Sequence, residues 1–181
     1  RSGGGVYPEE SLPAFRNCAE SKELHTDYFE FDLHLTKDGR LVLMHDDNLD
    51  RTTDSEDVFS EKGVDVRKKT LEELKRLNIG AKFITESGEM PFSGYSGADV
   101  PNELRILTLE EALDYLTALD DYHYIIEIKN SGDDGILAAD ILYGELKERR
   151  LLESAVVCSY HDEVLEYVDE MYPDVLRGAG V

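Results

Sequence analysis

Tryptophan is absent from this 181-residue chain, basic residues are scarce, and long apolar runs are missing. Each shortage excludes something. No stretch approaches the ~20 apolar residues of a bilayer-spanning helix, so no integral membrane segment is expected. The first residues show no apolar core of a secretory signal either. The two cysteines, Cys18 and Cys158, are too few and too far apart for a metal cluster or a disulfide framework. Free thiols on buried surfaces lean toward a reducing compartment, and the localisation expected is cytoplasmic. Only 19 basic residues stand against 40 acidic ones, a formal net charge of −21. Such a surface repels nucleic acid and anionic membranes, which leaves a small molecule as the natural partner. A phosphate-bearing substrate would also be repelled at long range, so its site must supply its own cations. Oligomeric state is not legible.

What is present describes a globular domain. Hydrophobic residues make up 41% and charged residues 33%, and the length suffices for one domain with a real core. Its most informative stretch runs from Tyr28 to Asp46, YFEFDLHLTKDGRLVLMHD. It reads as two short strands joined by a turn at Lys37-Asp38-Gly39. Alternation places Phe29, Phe31 and Leu33 on one face, and Glu30, Asp32 and His34 on the other. Two acids inside a buried strand are costly unless compensated, and a divalent cation is a compensation that also does chemistry. The second strand, Leu41 to Met44, delivers His45-Asp46 at its end.

Elsewhere the pattern is helix and strand in turn. RSGGGVYPEES reads as a glycine-rich loop entering a helix, with Pro8 in its first turn and an end near Leu24. Residues 48–105 are polar and aperiodic apart from a capping box at Thr70 and Glu73. Within them, about 58–105 is expected to be an inserted lid or specificity segment without a core of its own. A second capping box, Thr108 with Glu111, opens a helix that buries Leu109, Ala112, Leu113 and Leu116. Then follow a strand Tyr124–Lys129, a helix from about Ile136 to Arg150 and a strand Ala155–Tyr160. A helix His161–Tyr172, with Val164, Leu165, Val168 and Met171 inward, precedes a last strand from Val175. That alternation implies an α/β fold with a parallel sheet flanked by helices.

The strand YIIEIK repeats the logic of YFEFD, with Glu127 and Lys129 on one face. These two could simply pair with each other. If the strands belong to a closed parallel barrel, however, their polar faces converge on the axis near one mouth. Glu30, Asp32 and Glu127 then supply three oxygen ligands for a hard divalent cation, and Lys129 and Arg1 can hold an anion. His45 serves as general acid or base, being the side chain that titrates nearest neutrality. His34 shares the face of the acids and is expected to line the site. His25, His123 and His161 stand alone near element ends and read as surface or capping residues.

The blocks RSGGGVYPEES, FEFDLHLTKDGRLVLMHDDNLDRTT, RILTLEEAL and IIEIK together resemble the glycerophosphodiester phosphodiesterase family. The resemblance spans almost the whole chain. Arg1 matches the arginine of the family's His-Arg pair, whose histidine would precede residue 1. Glu30 and Asp32 match its Glu-x-Asp, His45 and Asp46 its His-Asp, and Glu127 and Lys129 its Glu-x-Lys. The family's Pro-Glu-Asn stands here as Pro8-Glu9-Glu10, with Glu9 a further residue at the site, and its glycine after His-Arg is Ser2. The resemblance implies a TIM (β/α)8 barrel holding one Mg²⁺ or Ca²⁺ ion on the three acids. It also implies hydrolysis of a glycerophosphodiester to glycerol 3-phosphate and an alcohol, with two histidines as acid and base. Such a barrel takes ~250 residues, so this one is expected to be incomplete at both ends and inactive as it stands. Two other readings keep the fold: a lysophospholipase D-like or cyclising phosphodiesterase, and a catalytically inactive barrel used as a binding module.

Overall fold

The computed structural model describes residues 5–23 and 25–180. Arg1 and the first glycines of the loop therefore lie outside the described residues. Strands β1 (Tyr28–Leu35) and β2 (Leu41–Leu43) form an antiparallel hairpin, with Leu33 opposite Leu43. Its turn closes through Thr36, whose N–H donates to Arg40 O at 2.8 Å and whose hydroxyl donates to Asp38 at 2.7 Å. Gly39 takes φ +74°, where a side chain would be strained. β1 then pairs in parallel with β3 (His123–Ile128), β3 with β4 (Ala155–Ser159) and β4 with β5 (Leu176–Ala179). The resulting order, β2-β1-β3-β4-β5, is an open sheet among the described residues and not a closed barrel.

The pleat sorts this sheet as its sequence implies. Phe29, Phe31, Leu33, Tyr124, Ile126, Ile128 and Val157 are all buried on one face. Helices α4 (Leu109–Thr117), α5 (Gly132–Glu148) and α6 (Asp162–Met171) supply the other side of that core. Phe15 of α1 (Leu12–Glu20) meets Phe29 and Phe31 edge-on, at 5.6 and 6.2 Å between ring centres. The opposite face carries Glu30, Asp32, His34 and Glu127. α5 and α6 approach at Gly135, where a Cβ would collide with Asn130 O and Val164.

Some boundaries differ from those the sequence suggests. α1 begins four residues after Pro8, because Glu10 turns the backbone to φ +55° and Ser11 becomes the N-cap, accepting Ala14 N–H. Met171 is exposed rather than inward. The 48–105 region, which includes α2 (Ser55–Phe59) and α3 (Leu71–Leu74), does have a core. Leu49, Val64, Val66, Leu74, Leu77 and Ile79 pack with Val42 and Met44 of the hairpin. Leu74 and Leu77 follow the spacing of α3, while Leu49, Val64 and Val66 come from separate short segments that share no period. Both capping boxes form with reciprocal bonds, Thr70 with Glu73 and Thr108 with Glu111. Among the described residues no helix is long and apolar enough to cross a membrane.

Candidate active site

Parallel pairing sets Asp32 directly beside Glu127, and both are 1% exposed. Lys129, one step past β3, turns back over them. Its Nζ lies 2.6 Å from Glu127 Oε1 and 3.0 Å from Asp32 Oδ1. The first contact is a hydrogen bond; the second has only the distance of an ion pair, and neither Asp32 oxygen has a hydrogen-bond partner among the described residues. Burial pushes the Asp32 carboxyl up, with Lys129 pulling it back. Burial alone would lower Lys129, but Glu127 and Asp32 outweigh it and hold the ammonium above its ordinary value. The pairing of Glu127 with Lys129 that the strand allowed is thus real, and it extends to Asp32.

The hairpin brings the histidine to the same place. Met44 N–H donates to Asp32 O at 3.1 Å, so β2 runs back along the acids and delivers His45 beside them. His45 Nδ1 is 2.6 Å from Asp46 Oδ1. Two hydrogen bonds from Arg51, with help from His45, bring Asp46 down to about 2. An ionised carboxylate only accepts, so Nδ1 is the donor in this contact and carries a proton. His34 is buried beneath this loop, its Nε2 3.4 Å from His45 O, and burial lowers its pKa. It supports the loop rather than lining the opening.

A cleft of about 420 Å³ opens here, walled by His45, Asp46, Glu127, Lys129, Tyr160 and His161. His161 stands at the N-cap of α6, in keeping with its reading as a capping residue, and its side chain also borders the cleft, with Nε2 3.1 Å from Lys129 O. His25 and His123 remain exposed and distant in role, the first pairing with Asp27 and the second resting on Tyr28. A larger cavity of about 1470 Å³ lies between residues 97–105 and helices α1 and α4. Size does not make it the site. Its Arg105 is consumed by four backbone carbonyls and its Lys75 by Glu111.

Glu10 is the residue at this site that sequence reasoning passed over. It is 3% exposed, in a left-handed conformation, with Oε2 lacking a hydrogen-bond partner among the described residues. Burial raises its pKa well above the carboxylate range, and Asp32, Glu30 and Glu9 push it further. The family's asparagine at this position suits such a backbone, since asparagine tolerates positive φ. As placed, no three His, Cys, Asp or Glu side chains among the described residues are grouped as a metal site is. The donor chemistry nevertheless fits a hard divalent cation: largely buried, all-oxygen, mutually repelling, with neither Asp32 oxygen hydrogen-bonded among the described residues and only Oδ1 ion-paired, to Lys129.

The glycerophosphoryl diester phosphodiesterase family model matches residues 1–175. The chain belongs to that family. It is 30% identical over 97% of its length to a glycerophosphodiester phosphodiesterase of Bacillus subtilis, and 32% identical over 94% to one of Caldanaerobacter subterraneus. It spans 55% and 60% of those relatives, a little over half their length. Among solved structures, an Oleispira antarctica phosphodiesterase in complex with the product sn-glycerol-3-phosphate superposes with TM-score 0.75 at 22% identity, covering 100% of this chain and 64% of that one. A glycerophosphodiester phosphodiesterase from Agrobacterium tumefaciens gives 0.71 at 21%, covering 98% and 63%. The family's α/β barrel fold is therefore shared, here as an open five-stranded portion. Within the family's pattern, Asp32, Glu127, Lys129 and His45 gather at one cleft, with Glu30 on the same strand face. Glu9 binds Arg51 instead of facing the cleft, and Arg1 lies outside the described residues.

Proposed function

We propose that this chain carries the catalytic centre of an enzyme that hydrolyses glycerophosphodiesters to glycerol 3-phosphate and an alcohol. The observation that carries the reading is the meeting of a buried Asp32–Lys129–Glu127 cluster with a His45–Asp46 pair at one cleft. Family membership and the product bound in the Oleispira relative support it. Glu30, Asp32 and Glu127 would hold one Mg²⁺ or Ca²⁺ ion, which when bound would draw charge from a phosphate oxygen and acidify a nearby hydroxyl or water.

The chain's own residues do the rest. Lys129, kept charged by its two carboxylates, meets the phosphate's negative charge where the overall field opposes it. By resemblance Arg1 joins it. His45 moves the proton at Nε2, taking it from the attacking hydroxyl or returning it to the departing alkoxide as the new P–O bond forms and the old one breaks. Asp46 holds the imidazole in the tautomer that makes this work. Residues 58–105 are proposed as the specificity segment; Gly80 within them packs so close to Pro8 of the 5–11 loop and to Phe92 that a Cβ there would crowd both.

Turnover of glycerophosphocholine by the full-length protein, followed with and without EDTA, tests the reading. Activity should disappear with the chelator and fall steeply in His45→Ala. Activity indifferent to both would refute the mechanism, and a protein that binds the substrate without turning it over would be the inactive binding module.

A further inference from the structure

Arg51 joins two acidic residues from different loops beside the histidine, Asp46 and Glu9, and no step of the chemistry above passes through it. One edge of its guanidinium grips Asp46, Nε to Oδ2 at 2.6 Å and Nη2 to Oδ1 at 3.0 Å. The other reaches back to Glu9, through Nη1 to Oε2 at 3.3 Å and through Nη2 to Oε1. The same Asp46 Oδ1 receives His45 Nδ1–H at 2.6 Å. The backbone that presents Arg51 is itself fixed. Thr53 donates its hydroxyl to Leu49 O at 2.8 Å, and Asp50 accepts from Ser55 at 3.0 Å and from Gly63 N–H at 2.6 Å.

We infer that Arg51 is a positioning residue for His45: by clamping Asp46 it locks the imidazole as the Nδ1–H tautomer, and through Glu9 it makes that lock depend on the 5–11 loop. A planar fork is needed for this, because two parallel bonds fix the plane of the carboxylate and a single ammonium does not. Arg51 itself is about half exposed, so its ion pairs contribute little to stability. Their consequence lies in orientation. The loop that carries Glu9 also carries Glu10, which packs among the acids. A disturbance at the acids therefore has a physical route, Glu10 to Glu9 to Arg51 to Asp46, to the histidine. The inference rests on His45 being the acid/base group proposed above.

The test compares wild type with Arg51→Ala, Arg51→Lys and Glu9→Gln. The imidazole ¹⁵N shifts of His45 report its tautomer, urea unfolding reports stability, and glycerophosphocholine kinetics separate kcat from KM. Wild type should show one neutral tautomer. Arg51→Ala should show a mixture and lose roughly a hundredfold in kcat, the scale of an ångström-sized misplacement, with KM little changed and the fold intact. Arg51→Lys should recover only part, and Glu9→Gln should fall between. A His45 signature unchanged in Arg51→Ala would overturn the inference. So would a loss confined to KM, which would make Arg51 a substrate contact. If the full-length wild type turns over no glycerophosphodiester, the proposed function fails, while the ¹⁵N shifts still decide whether Arg51 sets the tautomer.

Discussion

Replacing Lys129 with methionine removes the positive charge between two carboxylates that are each 1% exposed. The size of the effect can be bounded. Breaking a buried pair by deleting one partner costs about 3–5 kcal/mol, because the other charge stays buried and uncompensated. A carboxylate at pH 7 can always escape by taking a proton, which from an ordinary value of 3.8 costs about 4 kcal/mol. The two figures agree, so a loss of about 3–4 kcal/mol is expected in chelator at pH 7. At an m-value of about 2 kcal/mol/M, that moves the urea midpoint down by about 2 M. The sign with pH follows. Burial already raises the Asp32 carboxyl above its ordinary 3.8, and without Lys129 nothing pulls it back, so its contribution to stability is fully present below pH 3.8 and is lost as pH rises. At pH 5 the escape costs only about 2 kcal/mol, and the deficit should shrink accordingly. Adding Ca²⁺ at a hundred times its Kd should return about 2.7 kcal/mol. A deficit below about 1 kcal/mol, or one that does not vary between pH 5 and 7, would refute this account of the cluster.

The other predictions concern the loops and the scaffold. Glu10→Asn removes a buried carboxylate and suits the φ of +55°, so it should stabilise the metal-free protein by about 1 kcal/mol or more. Because Glu10 is raised, its penalty grows as pH climbs above 4.5, and the gain should be larger at pH 8 than at pH 5. Asp46 is lowered from 3.8 to about 2, so its contribution is present above pH 3.8 and is lost as pH falls toward 2. The stability gap between wild type and Asp46→Asn, about 1–2 kcal/mol after allowing for partial exposure, should close over that interval in acid unfolding curves. Thr108→Ala should cost about 1 kcal/mol in urea unfolding by opening the capping box of α4.

The legible parts of this protein were those whose signal is local. Alternation in YFEFDLHL put Phe31 and Asp32 on opposite faces because a strand has a period of two, and the structure keeps Phe31 in the helix-side core and Asp32 on the other face, beside Glu127. Thr70 and Thr108 announced their helices because a capping box needs only four residues. What stayed hidden depended on distance. Glu9 and Arg51 are 42 residues apart, and His161 and Lys129 are 32 apart, so neither pair leaves a mark in sequence spacing. The start of α1 was misplaced because Pro8 and Pro13 both suit a first turn. Only the backbone at Glu10 and the hydroxyl of Ser11 decide between them. The small core of residues 49–79 escaped because Leu49, Val64 and Val66 reach it from separate short segments and join the α3 residues only in space.

The hairpin has one more implication. Its two strands carry Glu30, Asp32, His34 and His45 as a single covalent piece, held in step by the turn at Thr36–Arg40. Because side chains alternate, a one-residue insertion inside β1 would send part of the acid set into the helix-side core and bring phenylalanines to the cleft. An insertion at the tip, around Asp38-Gly39, would change neither facing nor partner. Natural variation in length should therefore collect at the turn and avoid the strand. Glu30, Asp32 and His45 thus sit on one short piece of chain, and Glu127 joins them from β3.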